Sequence, residues 1–266
     1  PQLDGDRRRN VNENPCAPSP ELASALGVSG TEAAQTLNRY PDRECVELRQ
    51  ALADDLSQES SAECAADSIW VANGSNEVMS HIMAAFGGPG RVALTFPPTY
   101  SMYPEYARES FTTLVSVPRT TDFQIDMAAS TAAIEDQRPS VVLLASPNNP
   151  TGTAVSADDI DALAQATAGV GGMLVVDEAY AEFRRPGQPS SVAGLADHPH
   201  TTGPRPTSRA SPTAGARVAA AAHAPAGYRA LPGVRPPPHS SDDPPDRCGC
   251  ALAVRTAAQC APTTTA

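Results

Sequence analysis

From residue 40 to residue 185 the apolar positions alternate between two periods. In "RECVELRQALADDLSQ", Val46, Leu48, Leu52 and Leu56 fall near helical spacing. "SIWVANG" predicts a short strand that stops at Gly74. "SNEVMSHIMAAFGG" predicts a helix with Val78, Ile82 and Phe86 on one face and a glycine stop. "RVALTFPP" and "TTLVSVP" predict two more strands, the first broken by Pro97 and Pro98, and "MAASTAAIEDQ" a helix. "SVVLLASP" is a short unbroken apolar run, as in a strand covered on both faces. "SADDIDALAQATA" predicts a helix opened by Ser156, with Asp159 three residues later in near capping-box order. "GMLVVDEAY" predicts a last buried strand. Strands separated by helices need crossovers, so the expected class is α/β, a three-layer domain on a mostly parallel sheet. Ligands of such sheets collect at the carboxyl ends of the strands.

The pattern stops near His198. Residues 200–266 hold 11 prolines and 16 alanines but only five Val or Leu, and no Ile, Met, Phe, Trp or Glu. Such a composition cannot build a core of its own. The expected organisation is an N-terminal arm over residues 1–30, a large domain over 31–199, and a disordered low-complexity tail over 200–266. Charge divides at the same place. Residues 1–199 carry 12 Arg and 27 acids, a net of −15, and residues 200–266 carry 7 Arg and 3 acids, a net of +4. A front part this acidic excludes nucleic acid as its main partner, since phosphate binding needs clustered cations. No apolar run approaches the roughly eighteen residues of a membrane span, and no charged-then-apolar leader opens the chain. A cytoplasmic protein with no membrane partner is expected. Its six cysteines then read as free thiols, and Cys248, Cys250 and Cys260 lack the paired spacing of a zinc site.

Four stretches that follow predicted strands carry chemistry. In "NGSNEV", Gly74 permits a tight turn that leaves the amides of the next helix facing outward. That is either a phosphate site or an ordinary helix cap. In "FPPTYSMY" two prolines make Tyr100 a rigid projection, suited to stacking on a planar ring or to packing in a loop. "SPNNPTG" is dense in turn residues, and Asn149 has an amide able to donate to a ring oxygen. In "DEAY", Asp177 stands at the mouth of a buried strand, where a carboxylate is costly unless a cation or donor meets it. It either caps the following turn or pairs with a protonated ring nitrogen, and Tyr180 is placed to donate to the phenolic oxygen of the same ring.

Together "NENP", "NRYPD", "ANGSNEV", "FPPTYSMY", "SPNNPTGT" and "VVDEAYAEF" resemble, in this order, the class I/II aminotransferases of fold type I. The strings are most similar to the branch that exchanges an amino group between histidinol phosphate and glutamate/2-oxoglutarate in histidine biosynthesis. The resemblance covers about residues 9–199 and implies pyridoxal 5'-phosphate as cofactor. It places Gly74, Ser75 and Asn76 in the phosphate cup and Tyr100 against the ring. Asn149 and Tyr180 become donors to the ring hydroxyl, and Asp177 the partner of the ring nitrogen. Asn12 and Asn14 would contact substrate. Tyr40 would reach the cofactor phosphate of a neighbouring subunit, which implies a homodimer. Aromatic aminotransferases and phosphothreonine-type decarboxylases share much of the pattern.

The chain also departs from that pattern. Cys16 follows "NENP" where the family usually has tyrosine. All 19 basic Lys/Arg residues are arginines, so the lysine that holds the cofactor as a Schiff base is absent. At the expected distance the chain reads "TSRASPTAGARV". There Ser208 and Arg217 keep the family spacing toward the cofactor, and Arg209 stands in place of the lysine. A guanidinium stays protonated and can neither form a Schiff base nor take the substrate α-proton. The composition after residue 199 is that of a GC-rich gene read in a shifted frame. The alternative is a genuine, diverged tail on a protein that binds without turnover. The family's C-terminal small domain is not recognisable in it.

Overall fold

The computed structural model describes residues 16–185, 190, 198, 200–206 and 219–223. Helix α1 (Pro20–Ala34) opens with Ser19, whose side chain accepts the Leu22 amide, and with proline in the first turn. Helix α2 (Val46–Ser60) buries Leu48, Leu52, Ala53 and Leu56. Then follow β1 (Ile69–Ala72), α3 (Ser75–Phe86), β2 (Val92–Thr95), α4 (Tyr103–Glu109) and β3 (Thr113–Ser116). Helix α5 (Met127–Gln137) precedes β4 (Val141–Ala145), and α6 (Ala157–Gly169) precedes β5 (Met173–Asp177). Asp126 caps α5 through the Ala129 amide, and Ser156 caps α6 through the Asp159 amide, as its position predicts.

The sheet order is β1-β7-β6-β5-β4-β2-β3, where β6 is Thr201–Pro206 and β7 is Ala219–His223. Six strands run in one direction, and β7 alone is antiparallel to both of its neighbours. All ten residues of β4 and β5 are buried, because helices cover both faces. Alternation along each strand sorts them. Val141, Leu143, Met173 and Val175 pack with Met79, Ile82, Met83 and Phe86 of α3. Val142, Leu144, Leu174 and Val176 pack with Ile134 of α5 and Leu163 of α6. Helix α2 covers β1 and β7 through Leu48, Leu52, Leu56, Ile69, Ala220 and Ala222. This is the expected three-layer α/β architecture.

The sheet does not end at residue 199, as composition implies. Residues 201–206 and 219–223 complete it, between β5 and β1. Ala219 to Ala222 are all buried and alternate between the two helical layers. Ala219 and Ala221 pack in the cluster of α3, and Ala220 and Ala222 in that of α2. Strand β6 tolerates Pro204 because the pairing there uses its carbonyl, which accepts the Glu178 amide at 3.0 Å. Two arginines fasten this seam. Arg205 of β6 lies 2.5 Å from Glu59 of α2 and 3.4 Å from Glu182, and Arg184 bridges Glu59 (2.6 Å) and Glu178 (3.2 Å). Among the described residues no helix is long and apolar enough to cross a membrane.

Candidate active site

The carboxyl ends of β4 and β5 and the start of α3 form a shallow open cleft. Ser75, Tyr100, Asn149, Asp177 and Tyr180 line it, with Ala145, Pro147 and Ala179 as its apolar floor. Five of the residues expected from sequence thus converge, although about a hundred positions separate Ser75 from Tyr180.

Gly74 caps α3 with φ +87°, a conformation that favours glycine, and no side chain caps the helix there. The first amides of α3 therefore remain open to an anion, helped by the helix dipole. Asn76 does not line the cleft. Its side-chain oxygen accepts both the Tyr106 hydroxyl (2.8 Å) and the Tyr100 hydroxyl (3.2 Å) and so holds Tyr100, while its amide is one of the first of α3. Tyr100 also meets Tyr103 edge-on, with ring centroids 5.6 Å apart.

Asp177 is only 6% exposed. Its Oδ2 accepts the Tyr103 hydroxyl at 2.9 Å, and its Oδ1 accepts the Ala179 amide at 3.1 Å. Both readings of this residue are therefore visible at once, a cap on the following turn and an acid presented to the cleft. Burial pushes the Tyr103 hydroxyl well above its ordinary range, and the Asp177 charge beside it adds to the shift. Burial likewise raises Tyr106. Both phenols stay protonated donors.

The turn that presents Asn149 is organised by its neighbour. Asn148, itself buried, donates to the Pro98 carbonyl (3.0 Å) and to the Thr151 hydroxyl (2.8 Å), and accepts the Thr99 hydroxyl (2.9 Å). This ties the Asn149 turn to the loop that carries Tyr100. On the far side of the same two loops lies Arg119, whose guanidinium is drawn down to a pKa of about 10 by burial.

Tyr103, Tyr106, Asn148 and Arg119 are the members that sequence reasoning missed. Tyr103 and Asn148 lie inside quoted motifs, but a motif does not say which of its residues faces the ligand. Tyr40 is not in the cleft, and it is 94% exposed. Asn12, Asn14, Ser208, Arg209, Arg217 and the cysteines at 248, 250 and 260 lie outside the described residues.

The family described as "Aminotransferase class I and II" matches residues 10–256. The chain is 51% identical to a histidinol-phosphate aminotransferase of Thermobifida fusca over 241 residues, which is 91% of this chain and 64% of that protein. It is 50% identical to the histidinol-phosphate aminotransferase of Bifidobacterium longum over 227 residues, 82% of this chain and 59% of that one. Among solved structures, histidinol-phosphate aminotransferase from Sinorhizobium meliloti in complex with pyridoxal-5'-phosphate superposes with a TM-score of 0.74 at 27% identity, covering 93% of this chain and 63% of that one. The chain thus spans less than two thirds of the length of these relatives.

Proposed function

The chain belongs to the class I and II aminotransferase family, and we propose that its cleft binds pyridoxal 5'-phosphate without a covalent bond to the protein. The observation that carries this reading is the convergence of Ser75, Tyr100, Asn149, Asp177 and Tyr180 on one cleft. The donor set suits that cofactor. Gly74 and the open amides of α3 face a phosphate, and Tyr100 offers an aromatic face. Asn149 and Tyr180 donate to a ring oxygen, while the buried Asp177 accepts from a ring nitrogen and keeps its proton in place. When bound, the cofactor supplies an electron-accepting ring for amino-group chemistry. Tyr103 holds the Asp177 carboxylate toward the cleft, and Asn76 holds Tyr100.

The relatives' names and the ordered motifs support histidinol phosphate and glutamate/2-oxoglutarate as the amino donor and acceptor of the parental reaction. Turnover by this chain is a separate matter. It has no lysine, and the general base that lysine provides is worth roughly 10²- to 10⁴-fold in rate. We therefore assign it cofactor binding without useful transamination, a non-catalytic member or dimer partner of the family. A homodimer is supported by the N-terminal surface, since α1 buries no side chain and Val28, Leu37 and Tyr40 are exposed together with it.

Titration with pyridoxal phosphate, followed by the cofactor's absorbance, tests the binding. Saturable uptake is expected that dialysis reverses and that borohydride does not fix to the chain. Asp177→Ala should weaken it by about tenfold or more, the size of one charge-assisted hydrogen bond. Absence of saturable uptake would overturn the reading, and covalent fixation by borohydride would overturn its non-covalent part. Sedimentation of the purified chain tests the dimer, and a monomer at all concentrations would remove it.

A further inference from the structure

Arg119 follows β3, is 7% exposed, and forms no ion pair with any carboxylate among the described residues. A buried cation without a counter-charge is an expensive choice where an apolar side chain would fill the space. Its partners explain what it does. Nε donates to the Phe96 carbonyl at 3.1 Å, Nη2 to the Ala145 carbonyl at 3.3 Å, and Nη1 to the Phe123 carbonyl at 3.0 Å. Its own amide donates to the Pro97 carbonyl at 2.8 Å.

Each of these carbonyls sits at a decisive place. Phe96 is the last residue before the loop Pro97–Tyr100, and Ala145 is the last before the turn that carries Asn149. The Phe123 carbonyl also accepts the Thr153 hydroxyl, at the far end of that same turn. One planar fork therefore grips the root of the Tyr100 loop and brackets the Asn149 turn at both ends. Asn148 joins the two loops from the other side. Lysine could not repeat this, because its donors sit on one nitrogen, whereas the guanidinium reaches the three carbonyls from three separate nitrogens.

We propose that Arg119 is a positioning residue, which sets the spacing between Tyr100 and Asn149 and thereby the fit of a planar ring between them. It rests on the reading of the cleft given above. It touches no ligand itself and acts through main-chain carbonyls.

The test uses the full chain with Arg119→Met and Arg119→Lys, and two probes, pyridoxal phosphate by absorbance and inorganic phosphate by phosphorus NMR. The Met variant should bind pyridoxal phosphate about tenfold more weakly while its affinity for inorganic phosphate changes by less than about twofold, because α3 is not part of the brace. Hydrogen exchange at residues 99–101 and 148–153 should speed up by about tenfold, with the amides of α3 unchanged. The Lys variant should recover part of both effects. Equal loss for both probes, or unchanged exchange in both loops, overturns the proposal. Should the unaltered chain take up no pyridoxal phosphate, the cleft reading falls, and exchange in the two loops still decides the brace. Should the Met variant not fold, the same exchange measurement on the Lys variant decides it.

Discussion

Tyr103 illustrates how much one hydroxyl does behind a binding site. Tyr103→Phe keeps the buried ring and deletes the donor to Asp177 Oδ2. It should lower stability by about 1–3 kcal/mol, read from the urea midpoint. The same residue predicts an alkaline limit. Folding raises the Tyr103 and Tyr106 pKa values, so the folded chain keeps both protons where the unfolded chain begins to lose them. Their contribution is fully present below the ordinary tyrosine value of about 10 and declines as pH rises past it. Urea midpoints measured from pH 8 to pH 11 should fall above pH 10, and less steeply in Tyr103→Phe. A flat profile would contradict the assignment. At this scale the sequence was legible in part. Tyr100, Asn149 and Asp177 stood out because turn residues or a strand mouth isolate them. Tyr103 and Asn148 act on other side chains rather than on a ligand, and no local pattern marks that. Arg119 was invisible because nothing in a string announces that a cation will be buried among carbonyls.

Elements that cover the sheet were the most readable, since period and caps agree. In α6 Ser156 accepts the Asp159 amide at 3.1 Å, and Ser156→Ala should cost about 1 kcal/mol, checked by thermal melting. Leu163 on the same helix is fully buried, and Leu163→Ala should cost about 2–5 kcal/mol by opening a cavity beside β4 and β5. Two helices escaped the pattern. Helix α4 has seven residues, too few to show a period, and buries Tyr103, Tyr106 and Ala107 directly after the Tyr100 motif. Helix α1 buries none of its side chains, and Gly27 and Gly30 interrupt its helical pattern. Its remaining signal was the Ser19 cap followed by Pro20.

Over the whole molecule, the seam between β5 and β1 decides whether the sheet closes. Without β6 and β7, β5 would lose one of its two parallel partners and α2 would lose Ala220 and Ala222 beneath it. A chain shortened at residue 199 should therefore aggregate, seen by light scattering, because two strand edges become available. Arg205→Met should weaken the same seam by roughly 1–3 kcal/mol, since it removes the charged donor to Glu59 and Glu182 while keeping the stem. Composition concealed this part of the fold. It measures the large apolar side chains available for a core, and β7 contributes to two clusters with alanines alone. Main-chain pairs on both edges and four buried alanines hold β7 in place. A larger side chain at Ala219 or Ala221 would press on the α3 layer and one at Ala220 or Ala222 on the α2 layer, so one short strand carries a change to both sides of the sheet.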